Sequence, residues 1–157
     1  MSMDRYVALG DSYSAGNGAF STNLDWGCGR NTYAYPYLVA SERPNTSLTF
    51  VACQGAVTED VINNQVPQLG ADTDYVSITV GGNDVGFANL IINCAGSWSW
   101  NCGNAVNDAK DKIRNELPAK LDRTYAAKTY GELEGLFRGT VDVEVVQLGD
   151  GGRQVCF

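Results

Sequence analysis

Four short apolar runs recur along this chain, and a helical stretch separates each from the next. Tyr6-Val7-Ala8-Leu9 ends in Gly10. Ser47-Leu48-Thr49-Phe50-Val51-Ala52-Cys53 ends in the turn Gln54-Gly55-Ala56. Asp74 to Val80 ends in Gly81-Gly82, and Val141 to Leu148 leads into a Gly-rich tail. Runs of this length, rich in Val, Ile, Thr and aromatics and bounded by turn residues, read as strands. Between them, Tyr33 to Glu42 carries Ala34, Tyr37, Leu38 and Ala40 at helical spacing and stops at Arg43-Pro44-Asn45. Thr58 is placed to cap a short helix bearing Val61, Ile62 and Val66. Val85 to Ile92 reads as helix. So does Asn104 to Lys128, with Val106, Ile113, Leu117, Leu121 and Tyr125 on one face and Pro118 as its kink or break. Strands alternating with helices predict a parallel sheet with helices on both faces and right-handed crossovers. The fold class is α/β. Residues 17–31 read as an irregular, turn-rich loop.

Composition narrows the classes of function. A length of 157 residues suits a single domain, 1–157, and 44% hydrophobic residues supply a real core. The net charge of −7 argues against nucleic acid as a partner, because phosphate binding needs clustered Lys and Arg. No apolar run approaches the length of a membrane span. The five cysteines form no Cys-x-x-Cys pair and the chain has no histidine, so neither a structural zinc site nor another metal is expected. No Gly-x-Gly-x-x-Gly follows a strand and no Gly-Lys-Ser/Thr loop exists, which leaves a nucleotide binder as the weakest reading and no cofactor expected. Disulfides are the better use of the cysteines, and they imply an oxidising compartment. The sequon Asn45-Thr46-Ser47 agrees with secretion, and with only Met1-Ser2-Met3 ahead of the first strand no signal peptide is expected within these residues.

The ends of the first three strands carry the chemistry. Gly10-Asp11-Ser12 follows strand one, Gly55 follows strand two, and Gly81-Gly82-Asn83-Asp84 follows strand three. In a parallel sheet these ends point the same way, toward the edge where ligands bind. Ser12 offers a nucleophilic oxygen and a backbone N–H. Gly55 offers a backbone N–H with no side chain to block approach, and Asn83 offers a side-chain amide. Three donors around one point make an oxyanion hole. Each motif alone is an ordinary turn; the order and the position after strands carry the argument. A serine also needs a base, and histidine, the usual one, is absent. Asp11 and Asp84 are poor substitutes, because such carboxylates commonly cap turns and are weak bases at neutral pH.

These blocks resemble the first three conserved blocks of the SGNH, or GDSL, hydrolases, and within that family the chain is most similar to secreted actinobacterial and fungal lipases and esterases. The resemblance runs from about Asp4 to Ala127. It implies a three-layer, flavodoxin-like α/β/α fold and a carboxylic ester hydrolase acting without a cofactor on a small-molecule or lipid ester. Ser12 matches the nucleophile, and Gly55 and Asn83 match the other oxyanion donors. It also implies the pairings Cys28–Cys53 and Cys94–Cys102. The family's late histidine block, its later helices and its fifth strand have no counterpart here, and Cys156 is left over. The expectation is therefore an amino-terminal portion, ending after strand four, that is weak or inactive alone.

Other readings stand beside this one. A degenerate homologue would bind a ligand without chemistry. A fragment would need a second chain to supply the base. A sheet ending at strand four would leave an edge open to self-association. Trp98 and Trp100 would line an acyl site or simply decorate a disulfide-closed loop.

Overall fold

The computed structural model describes residues 3–95, 101–130 and 143–145. At its centre is β1 (Asp4–Gly10), whose last five residues are buried. On one side β1 pairs in parallel with β4 (Thr46–Phe50), Tyr6 opposite Leu48. On the other it pairs in parallel with β5 (Tyr75–Thr79), Val7 opposite Val76. Beyond β5 lies β6 (Val143–Val145), also parallel. The order β4-β1-β5-β6 reverses direction between β1 and β5. This matches the start of the flavodoxin-like order, in which ligands bind at the switch point between those two strands. The rest of the predicted run from Val141 to Leu148 lies outside the described residues.

Side chains alternate across β1, so the strand builds two interfaces. Val7 and Leu9 pack with Val76, Ile78 and Val61 on one face, joined by Val66, Leu69 and Tyr125. Tyr6 points to the other face, where its hydroxyl meets Ser77 Oγ at 2.7 Å and Tyr35 approaches the same oxygen at 3.2 Å. Tyr35 opens α2 (Tyr35–Glu42), with Pro36 in the first turn, where its missing N–H costs nothing. Val61 and Tyr125 come from helical segments over the first face. Helices thus cover both faces of the sheet.

Local chemistry moves several boundaries from their expected places. Strand β4 stops at Phe50 rather than Cys53, because the amides of Val51 and Ala52 converge on the one carbonyl of Ala8 and break the ladder. Thr58 is not a cap but the first residue of α3 (Thr58–Asp60). A π-helical turn (Val61–Gln65) and a 3₁₀ turn (Val66–Gln68) continue it. Helix α4 starts at Phe87 and runs to Cys94, delayed by a turn in which Val85 N–H bonds Gly81 O and Phe87 N–H bonds Gly82 O. The long predicted helix is two: α5 (Cys102–Asn115) and α6 (Leu117–Tyr130), split next to Pro118. Helix α1 (Ser12–Ala15) lies just before the loop expected to be irregular, and that loop holds a small antiparallel hairpin, β2 (Asn23–Asp25) with β3 (Arg30–Asn31). Arg30 and Asp25 pair across that hairpin.

The π turn has a consequence for the strand end. Gln65 is buried, and its amide brackets Gly10: Gly10 N–H donates to Oε1 at 2.6 Å and Nε2 donates to Gly10 O at 2.9 Å. Gly10 itself has φ +129°, and a Cβ there would lie 2.4 Å from Thr79 O. Only glycine fits that turn, and only an amide satisfies both of its polar groups at once. Gln65→Leu leaves a buried N–H without its acceptor, and the expected loss is about 2–3 kcal/mol in urea unfolding.

Candidate active site

The three expected strand ends meet, and hydrogen bonds close them into a triangle. Asp11 N–H donates to Thr79 O at 2.9 Å and ties the end of β1 to the end of β5. Cys53 N–H donates to Gly10 O at 3.0 Å and ties the loop after β4 to β1. Asn83 Nδ2 donates to Ala56 O at 2.9 Å and ties the loop after β5 to the loop after β4. Ser12, Gly55 and Asn83 each stand within one residue of a bonded vertex or on it.

Ser12 is the first residue of α1 and is half-buried. Asp11 caps that turn through Oδ1, which accepts from Tyr13 N–H at 3.0 Å. Gly55 has φ +80°, and nothing lies within 4 Å of where a Cβ would sit. Its backbone conformation excludes most side chains, while its surroundings leave room for a ligand atom. The Asn83 amide carries two N–H donors. One is held by Ala56 O, which sets the rotamer; the second remains for a ligand oxygen. Described in these terms, the arrangement offers a hydroxyl and several N–H donors at the carboxyl edge of a parallel sheet. That is what stabilising an oxyanion next to a nucleophile requires.

A line of hydroxyls, buried at Tyr6 and Ser77 and partly buried beyond them, supports the serine turn from below, and sequence reasoning did not find it. From Tyr6 and Ser77 it passes to Tyr35, whose hydroxyl lies 3.1 Å from Ser14 Oγ. Ser14 meets Thr79 Oγ1 at 2.6 Å, and Thr79 reaches Asp11 Oδ1 at 3.3 Å. These residues are scattered over the sequence, so no local signal joins them. Gln65 had one: it stands four residues after Val61, on the core-facing side of the same helical segment, where a polar residue needs a buried partner.

The disulfide Cys28–Cys53 clips the hairpin loop onto the Gly55 loop, and Cys94–Cys102 joins the end of α4 to the start of α5. Both pairings are those the resemblance implied. Around the first, Gln54 N–H donates to Cys28 O at 2.9 Å, Asn17 Nδ2 donates to Gln54 Oε1 at 2.7 Å, and Gln54 Nε2 donates to Gly27 O at 3.2 Å. The loop before Gly55 is therefore anchored to the serine loop as well. Trp98, Trp100 and Cys156 lie outside the described residues.

Neither carboxylate is placed as a base. Asp84, its side chain 3% exposed, accepts from Thr58 N–H at 2.9 Å and from Thr58 Oγ1 at 2.7 Å, with Lys120 Nζ at 3.5 Å. It caps α3 from across the site, a task that Val57, lacking an acceptor, does not perform. Asp11 is held above the usual carboxylate range, chiefly by burial, with the neighbouring Asp84 charge adding; the bonds from Tyr13 and Thr79 oppose the shift. Among the described residues no group of three or more His, Cys, Asp or Glu is placed to hold a metal ion, and no helix is long and apolar enough to cross a membrane.

Residues 8–138 match the GDSL-like Lipase/Acylhydrolase family. The chain is 45% identical over 123 residues to a lipase of Streptomyces rimosus, covering 78% of this chain and 46% of that one. It is 43% identical over 125 residues to Lipase 1 of Streptomyces coelicolor, covering 79% and 47%. The chain thus spans about half the length of these relatives. Its fold is similar to the crystal structure of phospholipase A1 from Streptomyces albidoflavus, with TM-score 0.76, 38% identity, and coverage of 92% of this chain and 59% of that one. The extracellular lipase of Streptomyces rimosus gives TM-score 0.76 and 35% identity, covering 94% and 64%. The family match reaches about ten residues past the point where the sequence blocks alone stop being legible.

Two outcomes follow from the carboxylates. Asp84→Ala strands the Thr58 amide and hydroxyl, and urea unfolding is expected to show a loss of about 2–3 kcal/mol. Asp11 binds its proton more tightly folded than unfolded, so its contribution to stability is full below the ordinary carboxylate range and is lost as pH rises through its folded value. Asp11→Asn keeps an acceptor for Tyr13 N–H but cannot ionise. Its melting temperature relative to the parent is expected to rise between about pH 3 and pH 7; a constant difference contradicts the assignment.

Proposed function

The chain belongs to the GDSL-like lipase/acylhydrolase family, and from that premise we propose that it carries the nucleophile and the oxyanion site of a serine carboxylic ester hydrolase. Ser12 Oγ attacks the ester carbonyl carbon. The carbonyl oxygen gains the negative charge, and the alkoxide leaves as the acyl-enzyme forms. The Ser12 and Gly55 amides and the second N–H of Asn83 receive that charge. The observation that supports this reading is the Asn83–Ala56 hydrogen bond, which holds the Asn83 amide of the loop after β5 against the loop that carries Gly55. The base that takes the Ser12 proton is a histidine from outside these 157 residues, since the chain contains none. The polypeptide alone is accordingly weak or inactive on esters. The two disulfides support an oxidising, extracellular setting.

Butylboronic acid tests the site without needing the base. The Ser12 hydroxyl adds to boron and its proton passes to buffer, leaving a tetrahedral boronate anion in the donor site. Boron-11 NMR of the full chain at mildly alkaline pH is expected to show the tetrahedral species. Ser12→Ala abolishes it. Asn83→Ala weakens it at least tenfold, a lower bound set against the roughly 10²–10³ that removing such a donor costs in rate. Equal adducts with the parent and with Ser12→Ala refute the reading. Beside this, hydrolysis of a short nitrophenyl ester is expected to be weak. Rapid, Ser12-dependent turnover by the chain alone shows that the base lies within it.

A further inference from the structure

We propose that Lys120, on α6, is a positioning residue for the Asn83 donor and acts through Asp84, an inference that rests on the ester hydrolase reading above. Asn83 lies in the turn from Gly81 to Gly86, and α6 grips that turn on either side of it. At one end, Gly81 has φ +117°, and a Cβ there would lie 3.1 Å from Leu117 Cδ1 and 3.8 Å from Leu121 Cδ2. At the other end, the enclosed Asp84 carboxylate meets Lys120 Nζ at 3.5 Å. Leu117, Lys120 and Leu121 follow one another at helical spacing, so they share one face of α6. The turn is closed by Val85 N–H on Gly81 O at 3.2 Å and by Gly86 N–H on Asn83 O at 3.1 Å. It therefore moves as one piece, and what holds its ends aims the amide between them.

The Asp84 carboxylate is bound to the same segment that Asn83 must meet. Its Oδ2 accepts from Thr58 N–H at 2.9 Å and its Oδ1 from Thr58 Oγ1 at 2.7 Å, two residues after the Ala56 carbonyl that holds Asn83. Adjacent side chains thus fasten one short stretch, and a shift of either carries the other. Two neutral donors leave a full charge on an enclosed carboxylate, and such a charge is costly without a cation. A second carboxylate stands near: Asp11 Oδ2 lies 3.9 Å from where a Cβ on Gly82 would sit. Lys120 supplies the cation, and Oδ1 is the atom it shares with Thr58. Lys112 also approaches the turn, 3.9 Å from where a Gly86 Cβ would sit, but it is paired with Asp108 at 2.7 Å. With the Lys120 charge removed, Asp84 draws toward water and the turn follows. The second N–H of Asn83 then loses its aim, and such donors must be held within about 0.5 Å of their working geometry.

The test is a double-mutant cycle on butylboronic acid binding by the full chain, read by boron-11 NMR titration. Lys120→Met keeps an unbranched side chain without its charge, and it is expected to weaken the tetrahedral adduct about three- to tenfold, within the coupling range of contacting residues. In the Asn83→Ala background the same change is expected to have no effect. Lys120→Arg keeps the cation and binds as the parent does, to within about twofold. Arg5→Met removes one positive charge at the opposite end of β1, where Arg5 pairs with Asp72, and leaves binding unchanged. Lys120→Gln repeats the charge loss with a shorter side chain, so the cycle still decides if Lys120→Met fails to fold. Equal weakening with and without the Asn83 amide overturns the inference, since a general loosening does not depend on that donor. Unchanged binding in both backgrounds overturns it as well. Equal weakening by Arg5→Met overturns it by assigning the effect to net charge. In all three cases the adduct of the parent leaves the hydrolase reading intact. No adduct in the parent removes that reading and this inference together.

Discussion

The bracket that Gln65 places around Gly10 is the contact on which the rest of the site depends. Gly10 ends a buried strand in a conformation that side chains rarely adopt. A chain turning there, away from water, must satisfy an N–H and a carbonyl that the sheet no longer pairs fully. One buried amide does both. It arrives from a π-helical turn more than fifty residues later in the sequence. With Gly10 held, Asp11 can bond Thr79, Cys53 can bond Gly10, and Ser12 opens its helical turn in one place.

From that point the support spreads in two directions. Below the serine, hydroxyls from two strands and two helices hand hydrogen bonds from Tyr6 to Asp11, so the second face of the sheet is polar where it meets α1 and α2. Beside the serine, Asp84 and Asn83, adjacent residues after β5, engage α3 and the Gly55 loop respectively. Both acidic residues near the site serve the backbone: Asp11 caps α1 and Asp84 caps α3. Burying such carboxylates is tolerable because each is bonded, and removal of the bonds leaves donors stranded rather than solvated.

Much of this was legible beforehand. Hydrophobic runs and turn residues located β1, β4 and β5, and Pro118 located the break between α5 and α6, because a proline removes a helical N–H wherever it falls. The Gly-Asp-Ser and Gly-Gly-Asn-Asp turns marked the strand ends that the parallel sheet brings together. Less legible was where an element stops. The end of β4 follows from two amides sharing the Ala8 carbonyl, and the start of α4 from a turn closed by Val85 and Phe87; both are pairings across space or around a turn that residue type alone leaves open. The hairpin at Asn23 to Asn31 is held by Arg30 and Asp25 and by a disulfide to a distant strand end, so its residues look like loop.

Residue types and their order determined the α/β class, the three strand-end motifs, and which side chains are chemically able to act as hydroxyl, amide or small-residue donors. Those properties are carried by single residues and by short-range periodicity, which survive without coordinates. Only the tertiary structure decided that Gln65 serves Gly10, that Ser14, Thr79 and Tyr35 form one line beneath Ser12, and that Asp84 caps a helix. A hydrogen bond needs two groups within about 3 Å of each other, and residues twenty to seventy positions apart acquire that proximity only when the sheet order places their strands side by side.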